Sequence, residues 1–313
     1  VHKFIAMLAV LVLLASCSSM QVVNGVTTSQ GYEPQTGILY NDATGLVLDV
    51  YAPPNAQDAP VVVFFYGGRW SGGIRSEYKF VGQALTQQGF IVVVPDVRAY
   101  PKVRFPTFVE DAAKAVKWTR DNIGKYGGSP DKLFVMGHQS GAHIAAMLAL
   151  DEEFLKGVGG SRKWLRGMIG LAGPYDFELN ESELRDMFGP PDAFYKSQPI
   201  HYVDGHNPPL LLLHGEDDTD VLVKNTRNLA AAVVRAGGAV ETVFYPQMQN
   251  NWILATIAAP LRKRSDVLTN ITEFVRKNAV PSPVPVADPL APDAATPLQQ
   301  DVDPSDLQTQ PLK

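Results

Sequence analysis

Four apolar runs in this chain each end in residues able to reach a ligand. After "VVVFFY" comes Tyr66-Gly67-Gly68-Arg69-Trp70, where two glycines let the backbone turn closely and aim N–H groups at a ligand oxygen. After "FIVVV" comes Pro95-Asp96-Val97-Arg98-Ala99-Tyr100-Pro101, in which Asp96 and Arg98 are expected to form an ion pair. After "LFVM" comes Gly137-His138-Gln139-Ser140-Gly141-Ala142-His143, a glycine-flanked turn with Gln139 at its apex. After "LLLL" comes His214-Gly215-Glu216-Asp217-Asp218-Thr219-Asp220-Val221, rich in carboxylates. Donors, carboxylates, imidazoles and hydroxyls are the ingredients of nucleophilic and acid–base chemistry. At the apex, however, a glutamine amide offers neither a nucleophile nor a titratable group.

The elements that must position these residues alternate along the chain. Apolar, β-branched runs predict strands over 45–51, 60–66, 89–94, 132–137, 167–172, 209–214 and 240–245. Helical spacing predicts helices over 77–88, 108–126, 140–150, 221–236, 251–259 and 265–278. Several strands are continuously apolar, as expected when helices cover both faces of a parallel sheet. The fold class is therefore α/β, with a mostly parallel sheet, and ligand sites of such sheets lie beyond the carboxyl ends of the strands. Residues 175–208, with Pro190-Pro191 and two further prolines, interrupt the alternation and are expected to form a small cap over that edge.

With the four motifs in this order, residues 32–279 resemble the α/β-hydrolase superfamily, specifically its bacterial esterase/lipase branch of small carboxylesterases. The resemblance implies the α/β-hydrolase fold, with helices on both faces of the sheet. It implies G-x-S-x-G at a strand-turn-helix elbow, an oxyanion hole from the Gly-Gly loop and the amide after the nucleophile, and an acid in H-G-x-x-D-x-x-V. A histidine is expected after the last strand. Carried over, the oxyanion residues are Gly67, Gly68 and Arg69 with the Ser140 amide, and the acid is Asp218, with Asp217 as the adjacent alternative. The elbow glycines are Gly137 and Gly141, but the nucleophile position holds Gln139.

The histidines are His2, His138, His143, His201, His206 and His214, and none follows Asp218. Where the family pattern reads Y-P-G-x-x-H-x-G, this chain reads "YPQMQNNWIL", so Asn250 occupies the histidine position. Gln247 and Trp252 stand there in place of small glycines and are candidates to plug the pocket, as Gln139 is. Tyr66, Trp70 and Trp252 are equally candidates to line it or to plug it. Losing serine or histidine alone costs such enzymes about a million-fold in turnover. The expected function is an esterase-family fold impaired in catalysis that uses its pocket for binding, with a small acyl-ester-like ligand. The alternative is carboxylic-ester hydrolysis by a displaced nucleophile such as Ser140, with His201, His206 or His214 as base. Ser140 otherwise serves only as the first residue of the helix, and His138 and His143 as packed, hydrogen-bonded side chains near the elbow.

A net charge of −5 with scattered Lys and Arg gives no footprint for nucleic acid. No cofactor and no metal is expected: Asp217, Asp218 and Asp220 could form a carboxylate cluster for a cation, but the sequence has no matching ligand spacing elsewhere. Cys17 is the sole cysteine, which excludes a disulfide framework and a thiolate metal site. It closes Leu14-Ala15-Ser16-Cys17 after an apolar run, which resembles the lipobox of bacterial lipoproteins. The organisation expected is a signal over 1–17 with lipidation at Cys17, a tether over 18–31, the folded domain over 32–279 and a disordered tail over 280–313. Export across the inner membrane and lipid anchoring in the bacterial cell envelope follow from that reading.

Overall fold

The computed structural model describes residues 24, 25, 27 and 31–280. The signal with Cys17, most of the tether and residues 281–313 of the tail lie outside the described residues.

Eight strands form one sheet: β1 (Glu33–Asn41), β2 (Leu46–Ala52), β3 (Ala59–Phe65), β4 (Ile91–Pro95), β5 (Gly128–His138), β6 (Leu165–Leu171), β7 (Leu210–Gly215) and β8 (Val240–Tyr245). Their order is β1-β2-β4-β3-β5-β6-β7-β8. The pairs β1–β2 and β2–β4 are antiparallel. From β4 through β3 to β8 every pairing is parallel.

The helices are α1 (Lys79–Thr86), α2 (Thr107–Asn122), α3 (Ser140–Leu150), α4 (Glu152–Lys156), α5 (Ser182–Phe188), α6 (Lys224–Arg235), α7 (Asn250–Ala255) and α8 (Val267–Ala279). Alternation along β3 shows how they cover the sheet. Val61, Val63 and Phe65 join one core with residues of α2, α3 and α6, whereas Val62 and Phe64 join a second core with α1, α7 and α8. Both faces are dry, so β3, β4 and β7 need no polar side.

The strand β1 is not foreseen from sequence. Its residues, EPQTGILYN, mix polar and apolar positions without alternation, and its register against β2 shifts twice. An edge strand paired on one side needs no continuous apolar face. Residues 175–208 carry α5 and two proline-led 3-10 helices, Pro191–Ser197 and Pro199–Tyr202.

Candidate active site

The turn from β5 to α3 is built by what its glycines leave room for. A Cβ on Gly137 would lie 2.1 Å from the Gly141 carbonyl oxygen, and one on Gly141 would lie 2.0 Å from that of Phe65. Gln139 between them has φ 52° and ψ −120°, a strained conformation for a residue with a side chain. The strain lifts Gln139 from the carboxyl edge of the sheet, while its carbonyl accepts the N–H groups of Ala142 and His143 to start α3.

The Gly-Gly loop after β3 faces this side chain. Oε1 of Gln139 accepts the backbone N–H of Gly68 at 3.1 Å and that of Arg69 at 3.4 Å. Two donors aimed at one oxygen are the makings of an oxyanion hole, here filled by the chain's own amide. Arg69 and Trp70 adopt left-handed φ values of 54° and 57°, which turn the loop toward the elbow. Gly67 backs the arrangement: a Cβ there would meet Nδ1 of His138 at 3.0 Å and Oε1 of Gln139 at 3.2 Å. It thus contributes space, and the N–H groups that reach Oε1 come from its two successors.

Asp218 is buried on the loop after β7, and Oδ1 accepts the N–H groups of Asp220 and Val221, each at 2.9 Å. Oδ2 accepts Nδ2 of Asn250 at 2.8 Å, and Nε2 of His214 lies 3.3 Å away. Burial opposes ionisation, but the hydrogen bonds from His214, Val221 and Asn250 prevail and hold the carboxyl below its ordinary range. Asp217 and Asp220 are exposed, and among the described residues no group of three or more His, Cys, Asp or Glu is placed to hold a metal ion.

Each buried histidine sets its Nε2 on a backbone carbonyl. His214 is fully buried between Thr226 Oγ1 at Nδ1, 2.7 Å, and the Val221 carbonyl at Nε2, 2.8 Å. Nε2 of His138 lies 3.0 Å from the backbone carbonyl of Asn250, and burial lowers its pKa. His143 donates from Nε2 to the Ser197 carbonyl at 2.7 Å, and Nδ1 accepts the indole N–H of Trp70 at 3.1 Å. Burial pushes its pKa down to about 4. His201 and His206 are exposed and line neither of the cavities described next.

Two cavities meet the elbow, with Trp70 in the wall of both. One of about 370 Å³ holds Gln139, Arg69, Phe177, Leu184, Leu222 and Lys224 among its lining. The other, about 700 Å³, holds Ser140, Tyr66, Asp96, Tyr100 and Phe108. Adjacent residues at the elbow therefore serve different cavities. Trp252 is half exposed, Gln247 is exposed, and neither lines either of these two cavities, so the expected plugging of them by these residues is not found. Asn250 heads α7, and the helix turns Ile253 and Leu254 into the core while leaving Trp252 outside.

A second expectation is also corrected. Asp96 pairs with Arg75 and accepts the Tyr66 hydroxyl at 2.9 Å, while Arg98 pairs with Asp111 through Nε and Nη2, both at 2.8 Å. Partners brought by the fold displace the neighbour in sequence. Sequence reasoning also missed two ion pairs at the mouth of the smaller cavity, Arg69–Glu181 at 2.7 Å and Lys224–Glu178 at 2.9 Å. No local signal joins these residues, since each pair spans a large sequence separation.

Comparison with known proteins places this architecture. Residues 48–233 match the family model described as BD-FAE. Esterase LipQ of Mycobacterium tuberculosis is 30% identical over 250 residues, covering 73% of this chain and 58% of LipQ. A probable isoprenylcysteine alpha-carbonyl methylesterase, ICMEL1 of Arabidopsis thaliana, is 28% identical over 235 residues, covering 66% of this chain and 49% of the relative. The chain thus spans only about half of the length of these curated relatives. Among solved structures, Thermogutta terrifontis esterase 2 superposes with a TM-score of 0.67 at 22% identity, covering 80% of this chain and 96% of that one. A truncated carbohydrate esterase from gut microbiota gives 0.69 at 19% identity, covering 80% and 98%, and both likenesses show the fold. The chain belongs to the BD-FAE family, in the esterase/lipase branch of the α/β-hydrolases.

Proposed function

We propose that this protein is a pseudo-hydrolase: an esterase fold that has given up acyl transfer and keeps the smaller cavity for binding. The observation that carries the reading is Oε1 of Gln139 in the paired N–H groups of Gly68 and Arg69. A substrate carbonyl would have to enter the same space for its oxyanion to be stabilised. Asn250 supports the reading from the other side, because it engages Asp218 at 2.8 Å yet has no titratable nitrogen to move a proton. The family relatives are named esterases, so a small acyl-ester-like ligand is the class to test first.

Hydrolysis through Ser140 is the competing reading. Against it, Ser140 lines the larger cavity, both nitrogens of His143 and of His214 have other partners, and His138 has its Nε2 on the Asn250 carbonyl. Hydrolysis of p-nitrophenyl acetate and butyrate by the purified protein separates the two. Release of p-nitrophenol at the uncatalysed rate is expected; turnover abolished by Ser140→Ala would overturn the proposal.

For location, we propose lipid anchoring through Cys17 in the bacterial cell envelope, supported by the lipobox-like stretch alone. Replacing Cys17 by Ala is expected to move the protein from the membrane fraction to the soluble one. Retention in the membrane fraction would remove the anchor from the proposal.

A further inference from the structure

Gln139 does more than fill the space before Gly68 and Arg69. Its carboxamide is planar, so fixing Oε1 on two backbone donors fixes Nε2 as well. The side chain lines the smaller cavity and its backbone belongs to a rigid elbow. Two N–H bonds are therefore presented where the parent chemistry would have an attacking oxygen. An oxyanion hole draws negative charge inward; this arrangement offers a hydrogen bond one atom further out.

The rest of the wall decides what those donors suit. Its two cations are already used, Arg69 by Glu181 and Lys224 by Glu178. Asp220 adds a third, exposed carboxylate, so the wall carries one negative charge in excess. Asp218, ionised below its ordinary range, adds another nearby on the same loop. Trp70, Phe177, Leu184 and Leu222 supply apolar surface for the body of a ligand. A carboxylate entering here would meet neutral donors, Gln139 and the Thr219 hydroxyl among them, and no unpaired cation among these lining residues.

We infer that Gln139 is the recognition residue of this cavity and that it selects uncharged carbonyl compounds with a short apolar body, rejecting the corresponding carboxylates. The inference rests on the binding role proposed above. Its discrimination comes from charge: the neutral carbonyl accepts from Nε2, and the anion pays the repulsion of the surplus carboxylates without a paired cation in return.

Pentanamide and pentanoate are near-isosteric probes that no esterase chemistry consumes. Titration of the isotopically labelled full chain, read at the backbone amide resonances of Gly68 and Arg69 in the parent and in each variant, tests the inference. Pentanamide is expected to shift these resonances saturably, with pentanoate at least about tenfold weaker at pH 7. The variant Gln139→Glu should weaken pentanamide by tenfold or more, since it replaces the outward donors by an acceptor. Equal or tighter binding of pentanoate overturns the inference, as does the absence of saturable binding by pentanamide. Tighter binding of pentanamide to Gln139→Ala also overturns it, because the side chain would then be a competitor for the hole. Ester turnover in the assay above would instead remove the proposed function, a separate failure with a separate signal.

Discussion

Asn250 donates its side-chain amide to Asp218 Oδ2 across 2.8 Å, the bond that an imidazole would make to an acid at this place in the family pattern. The carboxylate thus keeps a side-chain donor, although Asn250 has no titratable nitrogen. The two replaced positions act as a unit in such chemistry, so restoring either alone restores little. Gln139→Ser and Asn250→His are each expected to leave p-nitrophenyl butyrate hydrolysis at background. The double variant should rise at least about a hundredfold above it. Since Trp252 and Gln247 line neither cavity, a folded double variant without activity would mean that the hole and the acid are no longer in register.

Steric closure at the elbow gives a stability prediction. Gly141→Ala drives a Cβ to 2.0 Å of the Phe65 carbonyl oxygen, with backbone on both sides, and should cost about 3 kcal/mol or more in urea unfolding. Gly124→Ala meets nothing within 4 Å and should change stability by less than about 1 kcal/mol. Equal unfolding midpoints for the two variants would refute the steric account.

His143 sets a pH dependence. Its pKa is pushed down to about 4 by burial, whereas in the unfolded chain it titrates near 6.5. The unfolded state binds the extra proton first, so the stability from this residue is complete above pH 6.5 and is lost progressively toward pH 4. The loss is on the order of 3 kcal/mol across that window. Urea midpoints should fall between pH 7 and pH 5, and His143→Gln, though less stable throughout, should flatten the trend. His138, lowered in the same direction, leaves a residual slope.

Ion pairs in this fold should differ in worth according to burial. Asp111 is fully buried under Arg98, so Arg98→Met strands a carboxylate and should cost about 3 kcal/mol. Glu181→Gln breaks a pair whose members are both more than half exposed, and no change in unfolding midpoint is expected. A large effect of Glu181→Gln would show that the 175–208 segment depends on this contact.

Most of the scaffold was legible because dry strands advertise themselves. The runs that became β3, β4 and β7 are apolar on both faces, and α3 begins and ends at the residues its pattern predicts. Edge strand β1 carries no such pattern. At the site, the elbow glycines and Asn250 could be read from spacing against the family motif. What Gln139 does with its oxygen could not, since the donors come from a loop about 70 residues away. The same distance effect paired Asp96 with Arg75 and Arg98 with Asp111. Burial of Ile253 and Leu254 on α7, which fixes Trp252 outside, is likewise a tertiary choice.

The strained backbone at Gln139 has a consequence for how such a fold trades stability against activity. A working esterase keeps its N–H dipoles without partners in the resting state as well as a costly elbow, and both burdens are carried between turnovers. Here φ at Gln139 remains 52°, but the dipoles of Gly68 and Arg69 are quenched by the side chain. Any change that empties the hole, Gln139→Ser included, should therefore lower the stability of the fold even where it makes chemistry possible. On the pseudo-hydrolase reading proposed above, regaining catalysis would run downhill in activity barriers and uphill in folding free energy.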